Sequence, residues 1–394
     1  MAFLGNAVLA AERNLPRLFT ALVQENVAAE RVSMPEAVDS MERVVLDRGV
    51  LGLPAFSGVV AGHEFVAERL DSSRGNLSET FDYRTGPTEA RSVFTIYSGV
   101  VYGNLVVEGK SYFISPEGNH FLVVRSARRE TEELLRYAPR GDLQSIGAFA
   151  TGYSRRRACC FFPPPPSGIV TIAIATDYVA VLGGEEKARA RAQHMIDRQN
   201  ATFKNSGFAE AKFVNPEAIV IDPPEAVIER GLYDWAVSGA GKPIITGLRK
   251  RNKAAATFIL SKGTHVSEAL RNAPGKWLPD IQVAVVGGFF AEWDDSDIRA
   301  FIHEAGHLCG GDHNIESAPP QASDPQGTNR DWYDCADGVR GALSYNPCGK
   351  FLETVEIYSG VNSFWHGKAT GHAGVNDNVS GMRIVWRDLA GPHD

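Results

Sequence analysis

His303-Glu304-Ala305-Gly306-His307-Leu308-Cys309-Gly310-Gly311-Asp312-His313 decides how the second half of this chain is read. The spacing predicts a helix that stops at Gly310. Imidazoles four residues apart on a helix share one face, so His303 and His307 can reach a single ion. Gly310 can take a backbone conformation closed to other residues, which breaks the helix and swings His313 back as a third nitrogen. Three neutral imidazoles and one open position are the donor set of catalytic zinc, so Zn2+ is the expected cofactor. Glu304 stands where it can act as general base on a metal-activated water. The preceding residues suit a helix start. Asp294, Asp295, Ser296 and Asp297 supply cap candidates and negative charge, and Ile298, Phe301 and Ile302 supply an apolar face.

The extended pattern HExxHxxGxxH resembles the signature of the metzincin clan of zinc endopeptidases. That resemblance implies a tight methionine-containing turn beneath the metal, some tens of residues after the third histidine. Gly341-Ala342-Leu343-Ser344-Tyr345-Asn346-Pro347-Cys348 resembles the turn of bacterial reprolysin-like members, with Leu343 where methionine is expected. Leucine has a similar volume and can fill the same apolar floor. Met382 is too far along the chain to be the turn residue. Tyr345, two positions after Leu343, reads either as a donor to developing oxyanion charge or as an aromatic packed beside the site. Asp312 reads either as a carboxylate orienting a ligand histidine or as an exposed turn residue. Val355-Glu356-Ile357-Tyr358-Ser359-Gly360 is a weaker echo of the segment that follows the turn in that clan.

The chain has 394 residues, enough for two or three domains, with 44% apolar and 22% charged residues as in ordinary globular proteins. A net charge of −7, with no basic block beyond Arg155-Arg156-Arg157, argues against a nucleic-acid partner. No apolar run approaches the eighteen or so residues of a membrane span. Phe3–Ala11 is a short apolar run without a positive residue before it, and it reads as an amphipathic helix rather than a secretory signal. The resemblance implies a secreted enzyme, and the lack of a convincing signal in this chain also suits an effector delivered into other cells.

Composition shifts at Arg155–Gly168, RRRACCFFPPPPSG, where four prolines form a stiff extended connector. The chain therefore divides into residues 1–154, a linker at 155–168, and residues 169–394. Val59–Val124 carries short β-type runs separated by Gly and Asn, the pattern of a small antiparallel sheet or barrel. It is similar to the β-rich propeptides of secreted reprolysin-like proteases. Downstream, Ile169–Ala175 reads as a buried strand. Ala188, Ala192, Met195, Ile196, Gln199 and Phe203 read as a helix stopped at Asn205-Ser206-Gly207. Phe213–Ile221 and Ile281–Val286 read as strands, and Ala226–Val237 and His265–Asn272 as helices. The fold class is α+β: a metzincin-type catalytic domain with a twisted mixed sheet, an α/β-like first subdomain and a zinc-site helix, preceded by a β-rich domain. By the resemblance, substrate lies along the edge strand, which is either the strand before the zinc helix or its neighbour.

Cys335 and Cys348 flank the turn, and a disulfide there would hold the floor of the site. Cys159 and Cys160 sit in the linker, and a thiolate is a strong zinc ligand. Either could occupy the open position and let residues 1–168 inhibit the enzyme in cis. The other reading is an apolar junction, with a disulfide to Cys309. Arg155–Arg157 reads as a processing site or as a plain basic patch. The expectation is a zinc endopeptidase made as a latent zymogen and acting on polypeptides, with His303, His307 and His313 as ligands, Glu304 as base and Tyr345 as candidate catalytic residue. The rival readings are a silent zinc-binding pseudoprotease that acts as a binding protein and a zinc hydrolase of a non-peptide substrate.

Overall fold

The computed structural model describes residues 15–22, 38–86, 90–126, 167–229, 231–263, 268–269, 282–287, 294–314, 330–345, 347–348, 352–372 and 375–390. The fold is α+β, with a β-rich first half and a separate mixed sheet with helices in the second.

The alternating first half forms β1 (Phe19–Leu22), β2 (Val38–Leu46), β3 (Ala55–Val60), β4 (His63–Arg74) and β5 (Ser78–Arg84), then β6 (Ser92–Tyr97), β7 (Val100–Val107), β8 (Lys110–Glu117) and β9 (His120–Ser126). They pair antiparallel in the order β1-β2-β9-β8-β7-β6-β5-β4-β3. The Leu18 N–H donates to the Ser57 carbonyl (2.9 Å) and the Ser57 N–H to the Pro16 carbonyl (3.0 Å). The chain just before β1 therefore meets β3, and of the two expected forms, sheet or barrel, the barrel is the one built. Ser98 and Gly99 both have positive φ, the tight turn whose twist matches that of the flanking strands. Strand alternation sends Phe94, Leu105, Tyr112 and Ile114 into the barrel core. Tyr102 and Phe113, on the opposite parity, join the core of the second half.

The second half is built on β10 (Gly168–Ala175), β11 (Phe213–Val214), β12 (Ala218–Ile221), β13 (Ala256–Leu260), β14 (Glu268–Ala269) and β15 (Val283–Val286). All pair in parallel except β14, which runs antiparallel to β15 at one edge. The helices are α1 (Thr176–Val181), α2 (Glu185–Asn205), α3 (Glu225–Glu229), α4 (Leu232–Val237), α5 (Lys242–Asn252), α6 (Ser296–Leu308) and α7 (Asn378–Leu389). Val170, Ile172, Phe258, Leu260, Ala284 and Val286 face α2 and α6. Ala173, Ile259, Val283 and Val285 face α4 and α5. A sheet covered on both faces explains why β10, β13 and β15 are continuous apolar runs.

Several expectations change in detail. The strand at Phe213–Ile221 is two strands with Pro216 between them, since proline cannot donate to a ladder. The helix at Ala226–Val237 is α3 and α4, separated around Gly231 at φ 113°. Within His265–Asn272, Glu268 and Ala269 are strand rather than helix, because pairing with β15 overrides a weak helical pattern. The remainder of that stretch, Phe3–Ala11, and linker residues 155–166 with Cys159 and Cys160 lie outside the described residues. Among the described residues, no helix is long and apolar enough to cross a membrane.

Candidate metal centre

Helix α6 begins beside a carboxylate-rich turn that does more than cap it. Asp294 accepts from the backbone N–H (2.9 Å) and hydroxyl (2.9 Å) of Ser296. Asp297 is held by both arms of Arg191 (2.9 and 2.6 Å) and by the Tyr178 hydroxyl (2.6 Å). Asp295 faces Arg299 (2.9 Å) and Arg198 (3.5 Å). Two of the expected cap carboxylates thus tie α6 to α2. Ile298, Phe301, Ile302 and Ala305 anchor its apolar face, leaving His303 and His307 on the other side.

Gly310 has φ 92°, and its N–H donates to the His307 carbonyl (2.8 Å), while the Gly311 N–H donates to the Gly306 carbonyl (2.9 Å). This left-handed stop turns the chain back as the spacing predicts. The Nε2 atoms of His303, His307 and His313 then lie 3.0–3.1 Å from one another. Nitrogens about 2.0–2.1 Å from one tetrahedral ion stand roughly 3.4 Å apart, so the observed triangle fits such an ion within a few tenths of an ångström. The far ring nitrogens support the same reading. Nδ1 of His303 donates to the Ala342 carbonyl (3.0 Å), and Nδ1 of His307 donates to the Gly311 carbonyl (3.0 Å). Each bond leaves the Nε2 lone pair aimed inward, which is how ligand imidazoles are normally oriented. Three lone pairs facing one point repel each other unless a cation sits among them. This cluster could therefore hold a metal ion.

Glu304 is 4% exposed and lies on α6 next to His303. The Tyr345 ring packs 4.1 Å from His313 and 5.9 Å from His303, measured between ring centroids. That ring therefore forms one wall of the site. Leu343 lies beneath. It is fully buried, and a Cβ at Gly306 would meet its methyls at 2.9–3.0 Å. Met382, although not the turn residue, reaches the same floor from α7. Its methyl would meet a Cβ at Gly311 at 2.5 Å, beside Leu343 at 2.6 Å. Glycine at both positions lets the turn press against the ligand helix.

The structure also brings in residues that the motif does not announce. Asp331 accepts from the N–H groups of Leu343 (2.6 Å) and Ser359 (3.1 Å). Burial pushes its carboxyl up to about 7, against the lowering effect of those backbone donors. Asn314 accepts from the Tyr345 N–H (2.9 Å), fastening the third-ligand loop to the turn. Asp312 is buried rather than exposed, pairs with Arg330, and accepts from the His313 N–H (2.9 Å). Asn378 bonds both backbone groups of Asp312 (2.9 and 3.0 Å). No local pattern marks Asp331 or Asn378, which come from loops and helices distant in sequence.

Cys335 and Cys348, whose pairing the sequence leaves open, form a disulfide across the turn loop, with Cα atoms 5.7 Å apart. Cys309 is a free thiol buried in the core, and burial pushes its pKa far up. Among the described residues, β14, the neighbour of the strand that precedes α6, forms one edge of the sheet.

No protein-family model matches the chain, and no curated protein matches it. Among solved structures it aligns with one described as a chaperone-substrate complex, at 14% identity and a TM-score of 0.44, over 74% of this chain and 39% of that one. It also aligns with metalloproteinase-II from Bacteroides fragilis, at 10% identity and a TM-score of 0.38, over 76% of this chain and 88% of that one. Likenesses this distant carry no functional argument. The chemistry must be argued from the residues.

Proposed function

We propose that this protein is a zinc-dependent endopeptidase. The observation that supports it best is the convergence of three imidazole Nε2 atoms at 3.0–3.1 Å, with Glu304 buried next to the first of them. A zinc ion bound there would acidify a water molecule and polarise a substrate carbonyl. Glu304 would take the proton from the attacking water and hand it to the departing amine. Metal binding alone does not require a glutamate at that position, which favours catalysis over a silent binding role. Tyr345, against His313, would donate its phenol to the developing oxyanion. An extended polypeptide would lie along β14 at the sheet edge. Latency would come from the linker, with Cys159 or Cys160 supplying a thiolate to the open position.

The test compares wild type with Glu304→Ala, each loaded with zinc, for metal content and for cleavage of denatured casein, before and after trypsin opens the linker. We expect equal zinc and a loss of cleavage on the order of 10²–10⁴-fold in the variant. Equal cleavage by the two proteins would refute Glu304 as base. Zinc binding with no cleavage by wild type in any form would favour the pseudoprotease or a non-peptide substrate.

A further inference from the structure

Helix α2 is charged and yet buried on nearly every side. Arg191, His194, Asp197 and Arg198 are all less than 10% exposed, whereas a helix with one apolar stripe normally turns such residues to water. Its partners on one side are the sheet and α6. On the other side is the barrel. Asp197 accepts from the hydroxyls of Thr80 (2.8 Å) and Thr95 (2.6 Å) on barrel strands. His194 Nδ1 lies 3.0 Å from the Thr95 hydroxyl, and that hydroxyl's proton is committed to Asp197, so the imidazole is the donor. Lys204, near the end of α2, reaches Asp71 (2.9 Å) and Asp82 (2.5 Å). From Arg191 to Lys204 the contact runs for about 20 Å of helix.

The apolar part of this contact has the character of a core. Tyr102 and Phe113 share one buried cluster with Ile298, Phe301 and Leu343 of the metal-bearing half. Their ring centroids lie 5.9 and 5.0 Å from the Arg191 guanidinium, which grips Asp297 at the start of α6. A surface that mixes fully buried rings with buried hydrogen bonds resembles an obligate interface, a domain core cut in half, more than a detachable lid.

We propose that the barrel is a permanent, subunit-like partner of the metal-bearing half, and that it stays docked on α2 when the chain is cut between residues 127 and 166. Processing there would release the linker from its tether at one end and leave the barrel supporting α6 through Arg191. The claim is independent of the peptidase reading, because it concerns the interface and not the metal.

The experiment uses the full chain with a specific protease site in place of residues 155–160. After complete cutting, the two fragments should co-elute at the mass of the uncut chain, with or without zinc, and separate only in denaturant. Separate elution of native fragments at micromolar concentration would overturn the proposal. Phe113→Asp, which puts a charge into the contact, should release the barrel fragment, whereas Leu77→Asp, at a position 61% exposed, should not. If Phe113→Asp does not fold, Thr95→Val keeps the shape, removes the buried hydroxyl, and should lower the denaturant concentration at which the cut fragments separate. Co-elution of the cut Phe113→Asp fragments, or an unchanged separation midpoint where Thr95→Val is the variant measured, would also overturn it.

Discussion

Helices α6 and α2 lie against each other and carry opposite kinds of information. Helix α6 and the turn after it carry their pattern within eleven consecutive residues: histidines four apart, an adjacent glutamate, and a glycine stop with φ 92°. Helix α2 shows only apolar spacing on one side and a set of charges with no evident destination. Yet α2 is the more enclosed, because its charges meet partners scattered from Asp71 to Glu356. A metal site depends on a short-range periodicity that any helix supplies. A buried charge is tolerable only where distant segments deliver its counter-charge.

The sharpest way to break this comparison is Arg191→Leu. It leaves Asp297 buried with its main counter-charge gone, and the expected loss of stability is about 3–5 kcal/mol in denaturant titration. The double variant Arg191→Met with Asp297→Leu should recover most of that loss. A large loss persisting in the double variant would mean the pair does more than neutralise itself.

The turn under α6 provides the next effect. Replacing both Cys335 and Cys348 by serine opens a loop of 13 residues and should cost about 3 kcal/mol in thermal or denaturant unfolding. Bound metal should become easier to extract by chelator, since the same loop carries Leu343 and Tyr345. Unchanged extraction would separate the disulfide from the site.

The α2–barrel contact also sets a pH dependence with two opposing parts. Burial, reinforced by the charges of Arg198 and Arg191, pushes His194 well below its ordinary value of 6.5. The unfolded chain takes up that proton on acidification and the folded chain does not, so this contribution is present above 6.5 and is lost as pH falls below it. Burial raises Asp197 to about 6 from 3.8, despite the Thr95, Thr80 and Gln193 donors. Its contribution is fully present below 3.8 and is lost as pH rises through about 6. As pH falls below about 6 the two contributions oppose each other. Asp197→Asn removes one side, so its stability should fall more steeply from pH 6 to 5 than that of wild type, by up to about 1.4 kcal/mol. Parallel pH profiles for the two proteins would contradict this coupling.

The smallest effect is expected at Leu343→Met. The side chain is fully buried against Gly306 and Gly311, and the swap conserves volume, so stability should change by less than about 1.5 kcal/mol. Casein cleavage should stay within a few-fold of wild type. A large gain in cleavage would mean that leucine at this position limits the site, and that Met382 below does not supply what is missing.

Much of the site was legible because its logic is local. His303, His307 and His313 converge as their spacing requires, whereas the Cys335–Cys348 bond is settled only by the geometry of the turn. The alternating runs of Val59–Val124 become strands, and the residues that read as helical around Ala188–Phe203 do form α2. Helix α5 and strand β13 were not legible. Only Ile245 and Leu248 of α5 are buried apolar residues on one face, too few for a clear period. Asp331 and Asn378 could not be found either, since each acts through backbone groups more than ten residues away in sequence.

The sequence by itself determined the candidate site, because helical spacing puts His303 and His307 on one face, Gly310 ends the helix so that His313 can return to them, and Glu304 stands beside the first. The tertiary structure decided the rest. It placed Met382 beneath the histidines, gave Asp312 its partners Arg330 and Asn378 and Asn314 the Tyr345 N–H, and closed the first half into a barrel seated on α2. Those outcomes depend on which distant segments meet. Residues tens to more than a hundred positions apart carry no spacing to read, and only the packed chain shows whether each buried polar group has found its partner.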